Sequence, residues 1–318
     1  MIEALLQAAT PTGAGWAAFV EAGVRLGIPL VLAALGEMVS ERAGVLNIGL
    51  EGSIIAGALG GALGALATGS AGVGVVAGGA AGVLVGLAFA IPVVWLNTDQ
   101  IITGTAVTLL GLGGTAAIYS SRFGATGTQL TLPTLEPIAI PLLSGIPVLG
   151  PAFFDLAPTA YLTFALAPLL AWFLFRTEWG LEVRAVGEDP DAAAAAGLPV
   201  RRLRLAAALF GTLLAGLAGA HLALAYAGTF AENMSAGRGF IAIAVVVLGR
   251  WRPWAVLFAG LFFGAASALQ FLLQTLGWDV GYQLFLALPY ILTLAALGGW
   301  IGRSRAPAAL GLPWPRRH

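Results

Sequence analysis

The sequence predicts an all-α protein that crosses a membrane about nine times, and its composition and apolar segments support this fold class. Of the 318 residues, 59% are hydrophobic and 9% are charged, and the mean hydropathy is +0.92. Soluble domains carry roughly 25% charged residues, so most of this surface does not face water. Several apolar stretches reach the roughly 20 residues that a helix needs to cross a bilayer. Strands of alternating polarity, typical of a membrane barrel, are not recognisable.

The apolar segments follow one another along nearly the whole chain. The run 239–250 is short for a full crossing, and two segments meet at Gly69-Ser70-Ala71, so the predicted number is about nine, with a range of eight to ten. Gly-rich segments suit helices that pack backbone to backbone. The predicted spans are 17–39, 51–69, 71–95, 100–120, 158–176, 204–229, 239–250, 254–275 and 282–302.

Arginine placement predicts which loops face the cytoplasm, because positive residues collect on that side of a membrane. Alternate threading puts the 40–50 connection inside and the N-terminus outside. We therefore expect a single transmembrane domain, 1–318, with a cytoplasmic loop at 177–204 and an extracytoplasmic loop at 121–157. The arginine clusters that this threading brings to one side are 176–204, 250–252 and 303–317.

Composition also excludes several functions. The net charge is zero, which gives no electrostatic basis for binding nucleic acid. All fifteen basic residues are arginine, so the chain lacks the lysine of a GxxxxGK[ST] loop and cannot hydrolyse ATP through one. With no cysteine, two histidines and no HExxH motif, we expect no metal site, no cofactor and no enzymatic activity.

The predicted cytoplasmic loop encodes a short helix in the stretch DPDAAAAAGL. Asp189 suits the N-cap, and Pro190 suits the first helical position. The alanines that follow have the highest helix propensity, and Gly197 suits the C-terminal cap. A helix this short is not stable alone, so it docks either beneath its own bundle or on another protein.

This loop resembles the cytoplasmic loop of permease subunits in the ribose and branched-chain amino acid branch of ABC importers. Asp189 stands where asparagine is frequent in that branch. Three further stretches, GEMVSERAGVLNIGLEGSI, NTDQIITGTAVTLL and GRGFIAIAVVVLGRWRP, resemble the nucleoside and simple-sugar permeases within it. The loop residues that match are Gly180, Glu182, Arg184, Ala185, Val186, Gly187, Glu188, Pro190, Ala192, Ala193 and Gly197.

The resemblance implies a permease subunit of an ATP-driven importer in the prokaryotic plasma membrane. Such a subunit moves a nucleoside or simple sugar through the lipid bilayer by alternating access and does no bond chemistry. Its implied partners are cytoplasmic ABC ATPase subunits, a second permease subunit (identical or a sister chain) and an extracytoplasmic substrate-binding protein. The short helix near 189–197 would be the coupling helix. The residues that the resemblance assigns to ATPase coupling are Arg184, Gly187, Glu188, Asp189, Pro190, Ala192, Ala193 and Gly197.

The stretch GEMVSERAGVLNIGLEG, 36–52, concentrates polar groups between two apolar spans. A charge at membrane depth costs about 2.5–3.5 kcal/mol, so such groups pair or line water. Glycines after Asn47 weaken the helix, and we expect a broken helix near 43–52 at the cytoplasmic end of the pathway. An ordinary loop with solvated charges is the alternative, and each polar group can equally bond to a neighbouring helix. The predicted pathway residues are Glu37, Asn47, Glu51, Asn97, Gln100 and Thr103.

An internal match accompanies the predicted break. When Gly49 is aligned with Gly237, three further pairs are identical, in segments that the predicted topology sends in opposite directions. An inverted repeat would require this relation. The further pairs are Ile55 with Ile243, Ala56 with Ala244, and Gly61 with Gly249.

An ion-coupled secondary transporter or a channel is the alternative function. Such carriers place carboxylates within the membrane, and Glu37 lies within an apolar run. The capped alanine helix has no evident use in a carrier of that kind. Transport that depends on an added ATPase subunit distinguishes the permease from this alternative.

Overall fold

The computed structural model describes residues 14–124, 130–275 and 306–315, and most of them are helical. A six-residue π-helical segment, Leu222–Ala227, continues α9. Two short strands, β1 (Ile138–Ala139) and β2 (Asp155–Leu156), pair antiparallel. The α-helices are α1 (Ala14–Arg42), α2 (Leu50–Thr68), α3 (Ala71–Trp95), α4 (Gln100–Phe123), α5 (Leu149–Phe153), α6 (Pro158–Arg176), α7 (Glu178–Glu188), α8 (Pro190–Ala195), α9 (Val200–His221), α10 (Arg238–Leu248) and α11 (Pro253–Thr275).

Seven helical segments in the described ranges are long and apolar enough to cross a membrane. The predicted span at 239–250 is instead the 11-residue helix α10. It rises only about 16 Å, against a hydrocarbon core of about 30 Å. The predicted span at 282–302 lies outside the described residues. The multi-pass helical fold is therefore confirmed, whereas the number nine is not. The seven segments are Trp16–Arg42, Leu50–Thr68, Ala71–Trp95, Gln100–Phe123, Pro158–Arg176, Val200–Ala227 and Pro253–Gln270.

Helix α1 occupies the centre of the bundle, and every residue from Leu26 to Glu41 is buried. It packs along α9, α10 and α11, and its apolar residues form the largest core cluster with side chains of α6 and α9. Glycines bring α2, α3 and α9 into close contact, as the Gly-rich segments predict. A Cβ atom on Gly57 of α2 would overlap the backbone of Gly216 in α9.

The arginine-rich loops meet at one end of the molecule, as the predicted topology requires. Arg42 at the end of α1 donates from Nη2 to the carbonyl oxygen of Trp251, 2.8 Å away, in the α10–α11 turn. Arg204 of α9 donates from Nη1 to the carbonyl oxygen of Leu312 at 2.9 Å. We call this end the arginine-rich end, and the excess of arginine indicates that it faces the cytoplasm.

The opposite end carries the predicted extracytoplasmic loop. This loop begins later than position 121, because α4 continues to Phe123. Its described part contains the strand pair and the short helix α5, and it attaches to the π-helical segment through the amide of Leu135, which donates to the carbonyl of Leu224 at 2.9 Å. Thr159 Oγ1 and His221 Nδ1, 2.6 Å apart, join α6 to α9 nearby.

Candidate functional site: a buried helix break and a short helix at the arginine-rich end

The chain leaves helical structure between α1 and α2, at residues 43–49. The predicted break at 43–52 is therefore present but shorter, because residues 50–52 already form the first turn of α2. The alternative of a solvated loop is wrong, since the side chains of Glu37, Glu41 and Glu51 are at most 2% exposed. Non-helical backbone at membrane depth requires such burial within protein or beside a cavity.

Side chains of α1 and α4 bind the backbone groups that the break deprives of helical partners. Two backbone N–H groups donate to side-chain carbonyl or carboxylate oxygens, and two side-chain hydroxyls donate to backbone carbonyls. Each buried backbone group that is bound in this way avoids the cost of an unsatisfied donor or acceptor. The bonds are Asn47 N to Glu37 Oε1 (2.8 Å), Leu46 N to Gln100 Oε1 (2.8 Å), Ser40 Oγ to the Val45 carbonyl (2.9 Å) and Thr108 Oγ1 to the Ile48 carbonyl (3.0 Å).

The carboxylate of Glu37 therefore holds the break in place by accepting from a backbone amide. It does not pair with Arg42, which instead donates to the backbone of Trp251. The indole N–H of that tryptophan donates to Glu41 Oε2, so the end of α1 is fixed to the turn after α10 by two side chains. Sequence reasoning missed Trp251, because the residues that it contacts lie about 210 positions away and no spacing rule covers such a distance.

Glu51, in the first turn of α2, binds the N-terminus of α10. Its Oε1 accepts from the amide of Gly237 at 2.8 Å, and its Oε2 accepts from the amide of Gly239 at 2.6 Å. A carboxylate is favoured there, because the first amides of a helix lack partners and the helix dipole is positive at that end. Both oxygens of Glu51 are thus occupied by the protein itself.

Helices α2 and α10 begin beside each other and run in opposite directions. Gly49 is the N-cap of α2, and Gly237 is the N-cap of α10. Helix α10 leads to Trp251 at the arginine-rich end, whereas the later part of α2 packs with Leu132 and Phe230 towards the other end. The sequence alignment of Gly49 with Gly237 thus pairs two N-caps whose helices run in opposite directions, as an inverted repeat would require, but their φ angles differ, at −70° and +79°.

Several buried polar atoms around the break have no hydrogen-bond partner among the described residues. Neither side-chain atom of Asn47 is bonded, and the Nε2 of Gln100 is unpaired although its Oε1 is bonded. The hydroxyls of Ser53 and Ser235 are also unpaired, and they flank the contact between Glu51 and α10 in sequence. A buried unsatisfied group costs about 1–3 kcal/mol, so groups of this kind favour the binding of water or of a polar solute.

The remaining predicted pathway residues, Asn97 and Thr103, lie just before and within the first turn of α4, on either side of Gln100 in sequence. Asn97 stands in the α3–α4 turn with a positive φ of 53°, and Thr103 donates to Thr98 Oγ1 at 2.9 Å. Both side chains are half-buried. The structure thus brings Glu37, Asn47 and Gln100 together at the break, with Glu51 at the start of the following helix.

An apolar cavity of about 610 Å³ opens between α6, α7 and α9, and it is distinct from the break. Its walls include Leu170, Phe173 and Phe210, and its charged lining residue is Glu182. Walls of this kind offer few hydrogen bonds to a polar solute. We therefore place the candidate solute site at the break and not in this cavity.

The short helix α8 has the ends that its sequence predicts. Asp189 Oδ1 accepts from the amides of Asp191 and Ala192, at 3.1 and 3.0 Å. Pro190 is the first helical residue, and Gly197 follows the helix with a φ of +86° that suits a C-terminal glycine.

One face of α8 is docked on its own chain, and the other is exposed, apart from the contact of Trp314 with Asp191. Ala193 is 5% exposed and packs with Val186 and Val200, and the indole of Trp314 lies against this cluster. Gly187, just before α8, is buried against the backbone of Arg42. The exposed residues of α8 and the turn after it are Asp191, Ala192, Ala195, Ala196 and Gly197.

The other two residues assigned to ATPase coupling flank this helix. The guanidinium carbon of Arg184 lies 5.2 Å from the ring centre of Phe175, which is a cation–π contact. Glu188 is exposed, and its Oε2 accepts from the amide of Ala308 at 3.3 Å.

A protein-family model described as "Branched-chain amino acid transport system / permease component" matches residues 19–297. The chain belongs to this permease family. Among the described residues, the match covers six membrane spans completely and the first from residue 19 onward, together with the break and α8. No solved structure gives a significant match to the permease.

Three relatives show how the permease compares with named proteins. It is 40% identical to the guanosine ABC transporter permease protein NupQ of Bacillus subtilis (strain 168), over 90% of this chain and 92% of that one. It is 39% identical to the putative glucose ABC transporter permease protein TsgC13 of Haloferax volcanii, over 82% and 79%. It is 32% identical to the nucleoside ABC transporter permease protein NupC of Lactococcus lactis subsp. cremoris, over 89% and 92%.

These findings confirm the family resemblance of the sequence motifs. The permease is an ABC transporter permease subunit and a multi-pass protein of the prokaryotic plasma membrane. Its relatives are named as permease components of transporters.

Proposed function

We propose that the permease carries a nucleoside or a simple sugar into the cytoplasm by alternating access, driven by separate ATPase subunits. The observation that carries this proposal is the buried break between α1 and α2, with unpaired amide and hydroxyl groups around it. Relatives named for guanosine and for glucose are 40% and 39% identical, so identity alone does not separate the two solute classes.

The groups at the break suit a neutral, hydroxyl-rich solute. The amides of Asn47 and Gln100 and the hydroxyls of Ser53 and Ser235 supply both donors and acceptors, and the unpaired carboxylate oxygens of Glu37 and Glu41 can accept from the hydroxyl groups of a solute. The carboxylate of Glu51 is occupied by two backbone amides and is not available to bind solute. We assign Asn47 to the pathway, and we assign Glu37 and Glu51 to the support of its walls.

For ATP-driven movement we assign the exposed face of α8 to the ATPase. Ala192 and Gly197 would contact a groove on that subunit, and their small size allows the groove to close on the helix backbone. Pro190 and Ala193 face the bundle and would seat the helix. Gly187 would pass movement of α8 to the end of α1, because it is buried against the backbone there.

The complete transporter in this proposal contains two ATPase subunits, a second permease subunit and an external substrate-binding protein. These partners follow from the family. The second permease subunit is either a copy of this chain or a sister chain.

Reconstitution into liposomes tests the proposal. The permease is assembled with the ATPase and any sister permease encoded beside it, and uptake of labelled guanosine and labelled glucose is measured with the binding protein outside. We expect uptake of one of these probes only when ATP is enclosed. Uptake driven by a proton or sodium gradient, without the ATPase, would support the carrier and contradict the proposal.

A further inference from the structure

We propose that the C-terminal segment 306–315 transmits movement of α8 to the break at 43–49. The segment is extended or turn-like in an otherwise helical end of the molecule, and it contacts both of these elements. This inference rests on the proposed role of α8 as the helix that the ATPase moves. It gives a function in coupling to a segment that lies outside the sequence motifs quoted above.

The segment is bound to α7 and α8 at three points. The indole Nε1 of Trp314 donates to Asp191 Oδ1 at 2.7 Å, on the exposed side of α8. The amide of Ala309 donates to the carbonyl of Gly187 at 2.9 Å, and the amide of Ala308 donates to Glu188 Oε2 at 3.3 Å. A displacement of α8 therefore acts directly on the segment.

The same segment is bound to the start of the break. The amide of Gly311 donates to the carbonyl of Gly44 at 3.1 Å. Gly44 has a φ of +87°, and a Cβ atom there would lie 3.2 Å from the Ala309 carbonyl and 2.9 Å from Arg204 Nη2. The segment and the break thus fit together too closely for either to move far alone.

Arg204 fixes the middle of the segment to α9. Its guanidinium is buried and donates to the carbonyl of Leu312. Pro307 and Ala309 are buried, so these two residues anchor the segment in the protein, whereas Ala308 and Leu312 are exposed. Because most of these bonds use backbone groups, they hold the segment along its length from Ala308 to Leu312.

The experiment uses a cysteine reporter in the break, since the chain has no cysteine of its own. Ile48→Cys is introduced into the assembled transporter, and its labelling rate with a water-soluble maleimide is measured without nucleotide and after trapping with ATP and vanadate. With the native segment we expect the two rates to differ by at least about fivefold, the lower end of ordinary coupling between sites.

Two changes break the link at different points. Gly311→Pro removes the N–H that binds Gly44, and proline cannot adopt the φ of +76° found there. Trp314→Phe removes only the indole N–H and keeps an aromatic ring. We expect Gly311→Pro to abolish the nucleotide-dependent difference in labelling and Trp314→Phe to reduce it, both with normal recovery of the ATPase. Leu312→Ala is the matched control, because its side chain is 40% exposed and its carbonyl bond to Arg204 is kept.

The outcomes separate this inference from the proposed function. An undiminished labelling difference in both link variants would overturn the inference, and so would loss of the ATPase from Trp314→Phe, because the segment would then belong to the docking surface. The Ile48→Cys chain with its native segment could bind the ATPase and still be labelled at the same rate with and without trapped nucleotide. That result would contradict the proposed coupling role of α8 itself.

Discussion

The Glu51 carboxylate joins two helices that begin beside each other and run in opposite directions. Each of its oxygens accepts a backbone N–H of α10, and the side chain is buried. Hydrogen bonds to an ionised acceptor are roughly twice as strong as those between neutral groups. This single residue therefore fixes the depth at which α10 starts relative to α2.

Glu51→Gln tests this role. The amide keeps one acceptor oxygen but turns an NH₂ group towards a backbone N–H, so one hydrogen bond is lost and a donor is left unsatisfied. We expect a loss of about 1–3 kcal/mol in stability, measured as a lower unfolding temperature in detergent.

Glu21→Gln is the matched control for this change. Glu21 forms an ion pair with Arg25 at 2.9 Å, and both side chains are partly exposed. Exposed pairs contribute about 0–1 kcal/mol, so the control should hardly change the unfolding temperature. If both substitutions lower the unfolding temperature by the same amount, the assigned role of Glu51 in binding the N-terminus of α10 is contradicted.

Asn47→Leu separates a pathway residue from a structural one. Neither polar atom of Asn47 has a partner among the described residues, so leucine removes no hydrogen bond to that part of the chain. We expect uptake to fall at least about tenfold, as for one lost hydrogen bond of about 1.4 kcal/mol to the solute, with unchanged assembly and unfolding temperature.

Gln100→Leu is the comparison for Asn47→Leu, because the Gln100 amide accepts from the backbone of Leu46. We expect this second change to lower the unfolding temperature. If Asn47→Leu shows normal uptake kinetics, Asn47 does not contact the solute and has only a packing role.

At the scale of elements, α8 is a helix with one face docked on the bundle and one face exposed, and we call the exposed face the free face although Trp314 bonds to Asp191 on it. Its length of six residues is too short for independent stability, and its caps together with the contacts of Ala193 hold it in place. The free face carries only small or acidic residues. A substitution on the exposed face can therefore disturb a partner without disturbing the fold, whereas a substitution on the docked face disturbs the fold.

Ala192→Glu and Ala193→Glu should therefore fail in different ways. Ala192 is exposed, so its glutamate variant should fold normally and lose the ATPase during co-purification. Ala193 is buried, so its variant should lower the unfolding temperature, because an unpaired charge is placed among apolar side chains. Full recovery of the ATPase with Ala192→Glu would remove our assignment of the free face.

For the whole molecule, the arginine-rich end sets the orientation in the membrane. The contacts among the connection after α1, the end of α7 and residues 306–315 bring all these segments to that end. The Pro-rich outer loop lies at the other end, where Leu142 is 95% exposed. Positive residues are retained on the cytoplasmic side, which gives the orientation a physical cause.

Single cysteines test this orientation without background from native thiols. Leu142→Cys should react with a membrane-impermeant maleimide in intact cells, whereas Ala195→Cys should react only after the membrane is opened. The reverse pattern of labelling would show that α8 faces away from the ATPase compartment.

The sequence predicted seven of the spans, the break and the ends of α8, because apolar length, glycine and capping residues act locally. It did not predict that Glu51 binds α10, since the partners lie 186 and 188 positions apart. The contact of Trp251 with Glu41 and the docking of residues 306–315 also join residues that are at least 108 positions apart. These contacts depend on tertiary packing, which local patterns do not specify.

Photo-crosslinking from α8 tests the central claim most directly. A benzophenone amino acid at Ala192 is irradiated in the assembled transporter in its membrane, with the same residue at Leu142 as control. We expect a covalent adduct with the ATPase subunit from position 192 and none from position 142. An adduct at position 192 with lipid or with the permease alone would contradict the claim that the ATPase holds this helix.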